Sequence, residues 1–145
     1  MKDNILLTGN WLGELTYNDD HRPELQGKTM KFRLAIEEND GDITGECIDL
    51  EGTGVIPEAA VINGFFDENV ISFVKQYPGF YFINYNAEVE KHEDKEPAEI
   101  NFTGTFNPEN NQFEGEWHAV FAVKQLIFGF AEQLISGTWI IKRSE

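Results

Sequence analysis

Lys75 is the residue whose type and position point most clearly to chemistry. It follows Phe73 at an alternate position of a predicted strand, so a strand that turns Phe73 inward also turns Lys75 and Tyr77 inward. An inward lysine among apolar side chains is costly unless it is paired, and here it would anchor a ligand. Two alternatives stay open. In the first, Lys75 lies at the end of the strand and its side chain extends to the rim of the barrel. In the second, the other face of the strand points inward, so that Ser72 and Gln76 are the inward polar groups.

A second candidate feature is an aromatic wall built from alternate positions of several strands. Tyr81 and Tyr85 alternate with phenylalanines between residues 80 and 89. Whichever face of this predicted strand points inward, it therefore presents aromatic rings to the interior. Such a wall serves either as core packing or as a platform for a ligand. The residues predicted to line a ligand site are Phe32, Leu34, Phe73, Lys75, Tyr77, Tyr81, Tyr85, Phe102 and Trp117.

The other reactive side chains form neither a metal site nor an activated nucleophile. His21, His92 and His118 lack the spacing of a zinc site, so we predict surface histidines and no metal. Cys47 lies four positions after Ile43 in a predicted strand, so the two side chains point to the same face. This predicts a buried and inert thiol. It is the one cysteine in the chain, so no internal disulfide can form.

No catalytic set emerges from these residues. An isomerase or decarboxylase that uses Lys75, Tyr77 or Glu46 is the least favoured hypothesis, because no acid and base converge in the sequence pattern. The chain also lacks a Gly-x-Ser-x-Gly elbow and a glycine-rich phosphate loop. We therefore favour a protein that is not an enzyme, and we expect no cofactor.

Composition places the 145-residue chain among acidic, single-domain proteins. Eleven basic residues against 26 acidic ones give a net charge of −15, a field that repels nucleic acid and anionic membranes. A basic partner or cationic ligand is the alternative explanation of that charge. No run of about 18 apolar residues is present, so no membrane span is predicted. The lone cysteine and the lack of a signal-peptide core predict a reducing cytoplasm.

Alternation of apolar and polar residues predicts strands along most of the chain. The clearest case is the hairpin at residues 100–117, where two alternating runs flank the turn Asn107-Pro108-Glu109-Asn110-Asn111. Asn39-Asp40-Gly41 is a second hairpin signal. The other predicted strands cover residues 9–17, 28–37, 43–50, 59–66, 69–77, 80–89 and 134–143, with a polar loop at 18–27 and an exposed acidic segment at 88–99.

Residues 119–133 are ambiguous. Their apolar run suits a strand extended to Val123, a turn at Lys124-Gln125 and a second strand, or equally a short helix. If this segment is an insert, the pentapeptide Leu126-Ile127-Phe128-Gly129-Phe130 forms an exposed apolar patch. Such patches mark a portal lid or a partner surface, here a homo-oligomer contact. The alternative is ordinary burial.

Eight to ten strands with short polar turns predict an all-β fold, a single antiparallel up-and-down β-barrel over residues 1–145. Closure removes the two bare edges of the sheet, whereas a β-sandwich, the second choice, needs long crossovers. We predict a non-catalytic barrel that binds a small, largely apolar ligand. The alternative is a packed barrel that acts as an interaction or oligomerisation module through residues 119–133. An internal pocket of ~300 Å³ or more favours the ligand hypothesis, whereas a filled interior with an apolar surface patch favours the alternative.

Three Gly-x-Trp triplets carry a resemblance to known families. They are Gly9-Asn10-Trp11, Gly115-Glu116-Trp117 and Gly137-Thr138-Trp139, and the last is followed by Lys142-Arg143. The arrangement resembles the calycins, which comprise lipocalins, fatty-acid-binding proteins and avidins. The resemblance implies a calycin-like barrel whose closure involves Trp11, Trp139 and Arg143, with Arg143 or Lys142 lying over the ring of Trp11 in a cation–π contact. It also implies that the 18–27 loop partly covers the open mouth.

The ligand motifs of those families are absent from this chain. It has no mid-chain Thr-Asp-Tyr motif of lipocalins and no biotin-contacting pattern of avidins. The Arg-x-Tyr clamp of fatty-acid-binding proteins is missing too, because Arg143 is followed by Ser144 and Glu145. The resemblance therefore implies a fold and no particular ligand. The segment at residues 71–77 also resembles uncharacterised bacterial proteins, for which no activity is implied.

Overall fold

Ten antiparallel strands make up the described part of the chain. The computed structural model describes residues 6–18, 23–83, 86, 88–92, 96–127 and 129–144. The strands are β1 (Gly9–Tyr17), β2 (Thr29–Asn39), β3 (Asp42–Gly52), β4 (Ala60–Asp67), β5 (Val70–Gln76), β6 (Phe80–Ile83), β7 (Val89–His92), β8 (Glu99–Asn107), β9 (Gln112–Leu126) and β10 (Gly129–Arg143). Eight of them close into a barrel in the order β1-β10-β9-β8-β5-β4-β3-β2, and β6 and β7 form a separate two-stranded sheet. The predicted all-β, antiparallel up-and-down barrel is confirmed.

Strand β2 shows how the sequence builds the wall of the barrel. Met30, Phe32, Leu34 and Ile36 are buried, and the residues between them, such as Arg33, are exposed. Because successive side chains of a strand point to opposite faces, this spacing places one apolar row inside the barrel. Similar rows from the other barrel strands form a continuous core.

One end of the barrel is closed by Trp11 and Arg143, which are register partners in β1 and β10. The Arg143 guanidinium lies 5.5 Å from the centre of the Trp11 ring, a cation–π contact that stabilises by roughly 0.5–1 kcal/mol at an exposed site. It also donates hydrogen bonds to the carbonyls of Leu6 (2.5 Å) and Thr8 (2.7 Å). The Trp11 indole donates to the Leu7 carbonyl at 2.9 Å. The segment before β1 is thereby held across this end.

The other two tryptophans lie at different levels of the barrel. Trp139 is the register partner of Leu15 rather than of Trp11, which places it about 13 Å along the strand from the closed end. Trp117 lies further still, with its ring 5.4 Å from that of Tyr17 in an edge-on contact. The three Gly-x-Trp triplets therefore mark three levels of the barrel, and closure at the Trp11 end is made without Trp139.

Two of the triplet glycines make room for side chains that pack across neighbouring strands. A Cβ atom at Gly137 would lie 2.5 Å from Nε1 of Trp117, and one at Gly9 would lie 2.6 Å from a guanidinium nitrogen of Arg143. Larger residues at these positions would collide with those groups. The Gly-x-Trp spacing thus follows from close packing inside a small barrel.

The middle of the barrel is filled by aromatic rings. Phe73 stacks on Phe102 with 4.8 Å between ring centres, and Trp139 meets both rings edge-on at 5.7 and 5.6 Å. Phe32 contacts Phe102 from the other side at 6.3 Å. All four side chains are at most 2% exposed. This layer leaves the barrel solid at its centre.

Strands β6 and β7 form a hairpin that leaves the barrel between β5 and β8. The prediction of one strand over residues 80–89 is wrong, because β6 ends at Ile83 and the chain returns as β7. β7 lies inside the acidic segment that was predicted to be an exposed loop or a ragged strand end. The sequence between them contains Asn84 and Asn86, residues that favour turns and that the aromatic alternation concealed. Phe80 and Tyr81 are both buried although they are consecutive, so this hairpin is not a simple piece of barrel wall.

Strands β9 and β10 outrun their neighbours in the barrel, with 15 residues each against nine in β1 and β8. β9 pairs with β8 up to His118, and β10 pairs with β1 from Gly137 onward. Residues 119–135 continue beyond these points as a hairpin in which β9 and β10 pair with each other; we call this segment the arm. Of the alternatives for residues 119–133, the structure shows strands and not a helix. The predicted turn at Lys124-Gln125 is wrong, because β9 continues to Leu126 and β10 begins at Gly129. None of the described residues belongs to a helix long and apolar enough to cross a bilayer.

Candidate functional site

A buried polar network centred on Asp49 lies inside the barrel. Lys75 Nζ donates to Asp49 Oδ1 at 2.9 Å, and the Tyr77 hydroxyl donates to Asp49 Oδ2 at 2.5 Å. The backbone N–H of Ile56 donates to the same Oδ2 at 3.0 Å. Asp49, Lys75 and Tyr77 are all buried, and Lys75 is 1% exposed. One carboxylate therefore receives three hydrogen bonds and neutralises a cation away from water.

The alternation of β3 and β5 brings these side chains together. In β3, Ile43, Cys47 and Asp49 occupy odd positions and are buried. In β5, Phe73 and Lys75 share the inward parity. The two strands are not neighbours in the sheet, because β4 lies between them. The Lys75–Asp49 ion pair thus bridges two strands on the inner surface of the barrel, over the intervening β4, and the alternative of a lysine that reaches the rim does not hold.

The surroundings of Lys75 favour its charged form. Nζ lies 4.7 Å from the centre of the Tyr77 ring and 5.6 Å from that of Phe32, within cation–π range. Burial alone would lower the pKa of the Lys75 ammonium, but the acidic groups of Cys47, Tyr77 and Asp49 outweigh burial and hold that pKa well above its ordinary value. Lys75 is therefore a paired cation at neutral pH.

Cys47 and Tyr77 are held in their neutral forms beside this cation. Burial raises the pKa of the Cys47 thiol from 9.0 to about 11, although the neighbouring Lys75 works against that change. Burial also raises the pKa of the Tyr77 hydroxyl well above its ordinary value, with Lys75 again opposing and Asp49 adding to the rise. Neither group is ionised at neutral pH, as expected for a buried and inert thiol.

A small chamber lies next to this network, at the end of the barrel that holds Tyr17. Leu15, Met30 and Ile100 contribute apolar walls, and Lys75 also lines the chamber. Its volume is about 30 Å³. A buried water needs roughly 10–15 Å³ of such space, so the chamber has room for about two waters and for no larger molecule. It falls far short of the ~300 Å³ expected of a ligand pocket, so the pocket size does not favour the ligand hypothesis unless the chamber widens.

A roof formed by Tyr81, Gly54 and Ile56 borders the chamber on the side of the β6–β7 hairpin. The Tyr81 hydroxyl donates a hydrogen bond to the Glu58 carboxylate. Lys91 of β7 forms an ion pair with the same carboxylate at 2.8 Å, and about 40% of each side chain of this pair is exposed. An exposed pair of this kind contributes little, so the polar contacts between the hairpin and the loop after β3 are weak.

The predicted ligand-site residues separate into two groups in the structure. Four of them line the chamber, namely Lys75, Tyr77, Tyr81 and Trp117. The remaining four that the structure describes, namely Phe32, Leu34, Phe73 and Phe102, are buried in the core and are not among the residues that line the chamber. Tyr85 lies outside the described residues. The ligand-binding role of all these residues remains a prediction.

Sequence reasoning missed Asp49, the partner that makes an inward lysine possible. The sequence contained an indication of this partner. Asp49 lies two positions after Cys47 in the same strand, so it shares the face that was predicted to be buried. What the alternation could not show is that β3 and β5 lie on either side of β4, close enough for their inward side chains to meet.

The histidines and acids of the described residues do not assemble into a metal site. No group of three or more such side chains is positioned to hold a metal ion there. His118 is exposed, and His92 lies 3.5 Å from a carboxylate oxygen of Glu90. His21 lies outside the described part of the chain.

Comparisons with known proteins give matches only among solved structures. No family model matches the chain, and no curated protein matches it. A crystal structure of a rhizavidin–biotin complex is 16% identical with a TM-score of 0.48, covering 92% of this chain and 98% of that chain. A crystal structure of rhizavidin is 13% identical with a TM-score of 0.46, covering 92% of this chain and 84% of that one. The fold assignment rests on the strand pairing described above.

The first prediction concerns the Lys75–Asp49 pair. We expect Asp49→Asn to lower the free energy of unfolding by about 3–5 kcal/mol, because it leaves the buried Lys75 charge without its counter-ion. The matched control is Glu51→Gln, which makes the same acid-to-amide change in the exposed ion pair with Lys31 (3.4 Å) and should cost less than about 1 kcal/mol. Urea unfolding at pH 7 measures both. Equal losses for the two variants would contradict a buried ion pair.

The second prediction concerns stability at high pH. The Cys47 thiol ionises near its ordinary pKa of 9.0 in the unfolded chain and near 11 in the folded chain. Its contribution is therefore complete below pH 9 and is lost as the pH rises from about 9 to about 11, with a total of roughly 2–3 kcal/mol.

Cys47→Ala separates this effect from the titration of Lys75 and Tyr77, whose raised pKa values act in the same direction. Between pH 8 and pH 10, urea unfolding should show a smaller loss of stability for the variant than for the original chain. Parallel losses would show that the folded thiol ionises as readily as the unfolded one.

Proposed function

We propose that the protein binds one small, largely apolar and uncharged molecule at the Tyr17 end of the barrel, without catalysing a reaction. One observation carries this proposal: apolar walls converge there with the buried hydrogen-bonding groups of Lys75 and Tyr77. Small-molecule sites combine these two features, a mostly apolar lining and a few placed polar groups that orient the ligand. The polar groups are held by Asp49 before any ligand arrives.

The charge balance of the network supports an uncharged ligand. Lys75 is already neutralised by Asp49, so a carboxylate ligand would bring a second negative charge without a free cation to meet it. A cationic ligand would face the Lys75 ammonium. An ammonium group carries three protons, so Lys75 can hold Asp49 and still donate to a neutral acceptor such as a carbonyl or hydroxyl oxygen.

The protonation states of the site support binding rather than catalysis. The Lys75 amine is charged, the Cys47 thiol is neutral, and the Tyr77 hydroxyl is engaged by Asp49. A nucleophile must be deprotonated or lie beside a free base. None of these three groups meets that requirement.

Access to the chamber requires that the roof opens. The closed chamber of about 30 Å³ is too small for the proposed ligand. The contacts of Tyr81 and Lys91 with Glu58 are polar and weak, but the Tyr81 ring is buried and lies 5.8 Å from the Tyr77 ring, so opening has to displace a packed side chain. Displacement of the Tyr81 ring would join the chamber to the outside and enlarge it.

A packed barrel that works as an interaction module is the second candidate function. It is supported by the solid aromatic layer of Phe73, Phe102 and Trp139 in the middle of the barrel. That layer confines any ligand to the Tyr17 end. The net charge of −15 and the single free cysteine support two further proposals, a protein that avoids nucleic acid and a reducing cytoplasmic location.

The third prediction tests the chamber. Ile100→Phe adds a ring to the chamber wall, so we expect it to abolish retention of a bound molecule while the barrel stays folded. Native mass spectrometry of protein purified from its natural host shows the retained mass directly.

Saturation-transfer NMR with benzamide and benzoate, a neutral and an anionic probe of the same shape, should show contact with benzamide and at least tenfold weaker contact with benzoate.

The matched control for that test is Ile48→Phe, the same substitution on the outer face of β3, where Ile48 is exposed. It should retain the molecule and respond to benzamide as the unaltered chain does. Two results would contradict the proposal: equal retention by both variants, or neither a retained mass nor a benzamide signal in the unaltered chain.

A further inference from the structure

An open groove lies on the outside of the barrel, at the point where β8 begins and β9 continues into the arm. Its volume is about 520 Å³, which falls within the range of roughly 300–1,000 Å³ typical of ligand-binding clefts. None of the residues that line the groove lines the chamber beside Lys75. The groove is therefore a second candidate site, separate from the chamber.

The groove borders an open edge of strand β9. Pairing between β8 and β9 stops at Asn101 and His118, whereas β9 continues to Leu126. In the part of the chain that the structure describes, β9 has no strand partner on that side beyond His118. Such an edge presents N–H and C=O groups with which an extended peptide can pair.

The chain before β8 forms the opposite wall of the groove. Pro97 lacks the N–H that a strand partner of β9 would need, and its carbonyl accepts a hydrogen bond from the side-chain amide of Gln76 in β5 at 3.4 Å. This contact holds the segment on the side of β5. Because Pro97 and Val120 both line the groove, the groove lies between this segment and β9, where a further strand would pair.

The lining of the groove combines apolar surface with acidic side chains. Phe80 and Val120 contribute apolar groups, and three exposed glutamates contribute carboxylates, namely Glu96, Glu99 and Glu132. Among the described residues that line the groove there is no lysine or arginine. The field of a chain with net charge −15 also attracts cations. The groove therefore suits a partner that combines positive charge with apolar groups.

Two of the carboxylates lie on either side of β9. Glu99 stands at the start of β8 and Glu132 lies in β10, so β9 runs between them. Neighbouring strands are about 4.8 Å apart, which places the two positions roughly 10 Å apart across the sheet. A lysine or arginine on a strand paired with β9 can lay its aliphatic stem over Val120 and bring its charge to Glu132.

We propose that the groove binds an extended, basic segment of another protein, which adds to the edge of β9 as a strand. Its backbone pairs with β9 beyond His118, and lysine or arginine side chains at alternate positions face the carboxylates. The residues between them point toward the buried side of β9, where Ala119 lies. A small amine would use the carboxylates and leave the strand edge unused. Binding here does not depend on the ligand proposed for the chamber.

Fluorescence anisotropy with a fluorescein-labelled peptide of seven residues that alternates lysine and valine tests this proposal. The peptide should bind, and raising NaCl from 0.05 to 0.5 M should weaken binding at least fivefold, because salt screens exposed charges. The double change Glu99→Gln and Glu132→Gln should raise the dissociation constant at least tenfold. The matched control is Glu37→Gln with Glu46→Gln, on the exposed faces of β2 and β3. It removes the same charge outside the groove and should raise the constant less than threefold.

Methylation of the peptide backbone separates strand addition from general charge attraction. Methyl groups on the lysine nitrogens or on the valine nitrogens keep every charge but block one edge of the peptide strand or the other. One of these two patterns should bind at least tenfold more weakly than the other. Hydrogen exchange of the backbone amides in residues 119–126 should slow when the unmethylated peptide is bound.

Several results would overturn the proposal. They are a glutamine–valine peptide that binds as tightly as the lysine–valine peptide, equal weakening by the two double variants, methylation patterns that bind alike, and exchange in β9 that the peptide leaves unchanged. Displacement of the peptide by n-butylamine at the peptide's own concentration would also overturn it, because the groove would then be a site for small amines.

Discussion

A buried ammonium group needs a negative charge beside it, and in this protein Asp49 supplies that charge to Lys75 at 2.9 Å. The pair constrains more than two residues. Asp49 belongs to β3, Lys75 to β5, and the N–H of Ile56 reaches the same carboxylate from the loop after β3. Each strand must therefore keep its register, because a slip of one residue would turn the charge outward and leave its partner buried alone.

The network also divides the barrel into two parts with different properties. Toward Trp11 the interior is apolar and filled, with stacked rings around Trp139 and a cation–π contact at the closed end. Toward Tyr17 the lining becomes mixed, and packing leaves a small chamber beside Lys75. Hydrophobic packing explains the first part without reference to function. The second part contains polar groups that packing alone does not require, and for this reason we assign the proposed ligand to it.

Much of this architecture follows from the sequence. Alternation in β2 and in the 100–117 hairpin identifies the strands and their inward residues. It also predicts a buried Cys47, and it offers an inward Lys75 as one of the alternatives that it leaves open. Alternation describes one strand at a time, however, so it could not show that Asp49 of β3 meets Lys75 of β5 over the intervening β4. It also could not separate a barrel strand from the β6–β7 hairpin, since both are rich in aromatic residues. The chamber volume depends on how rings such as Tyr81 and Trp117 pack, which no periodicity contains.

The central claim is that Lys75 is charged, paired and shielded from water inside a folded barrel. Solution NMR of protein labelled with ¹⁵N at lysine Nζ tests it most directly at pH 7 and 25 °C. The account predicts one Nζ signal with the shift of an ammonium group, with protons that exchange slowly enough to be observed. A Lys75 signal with the shift of a neutral amine, or one whose protons exchange as fast as those of surface lysines, would contradict it.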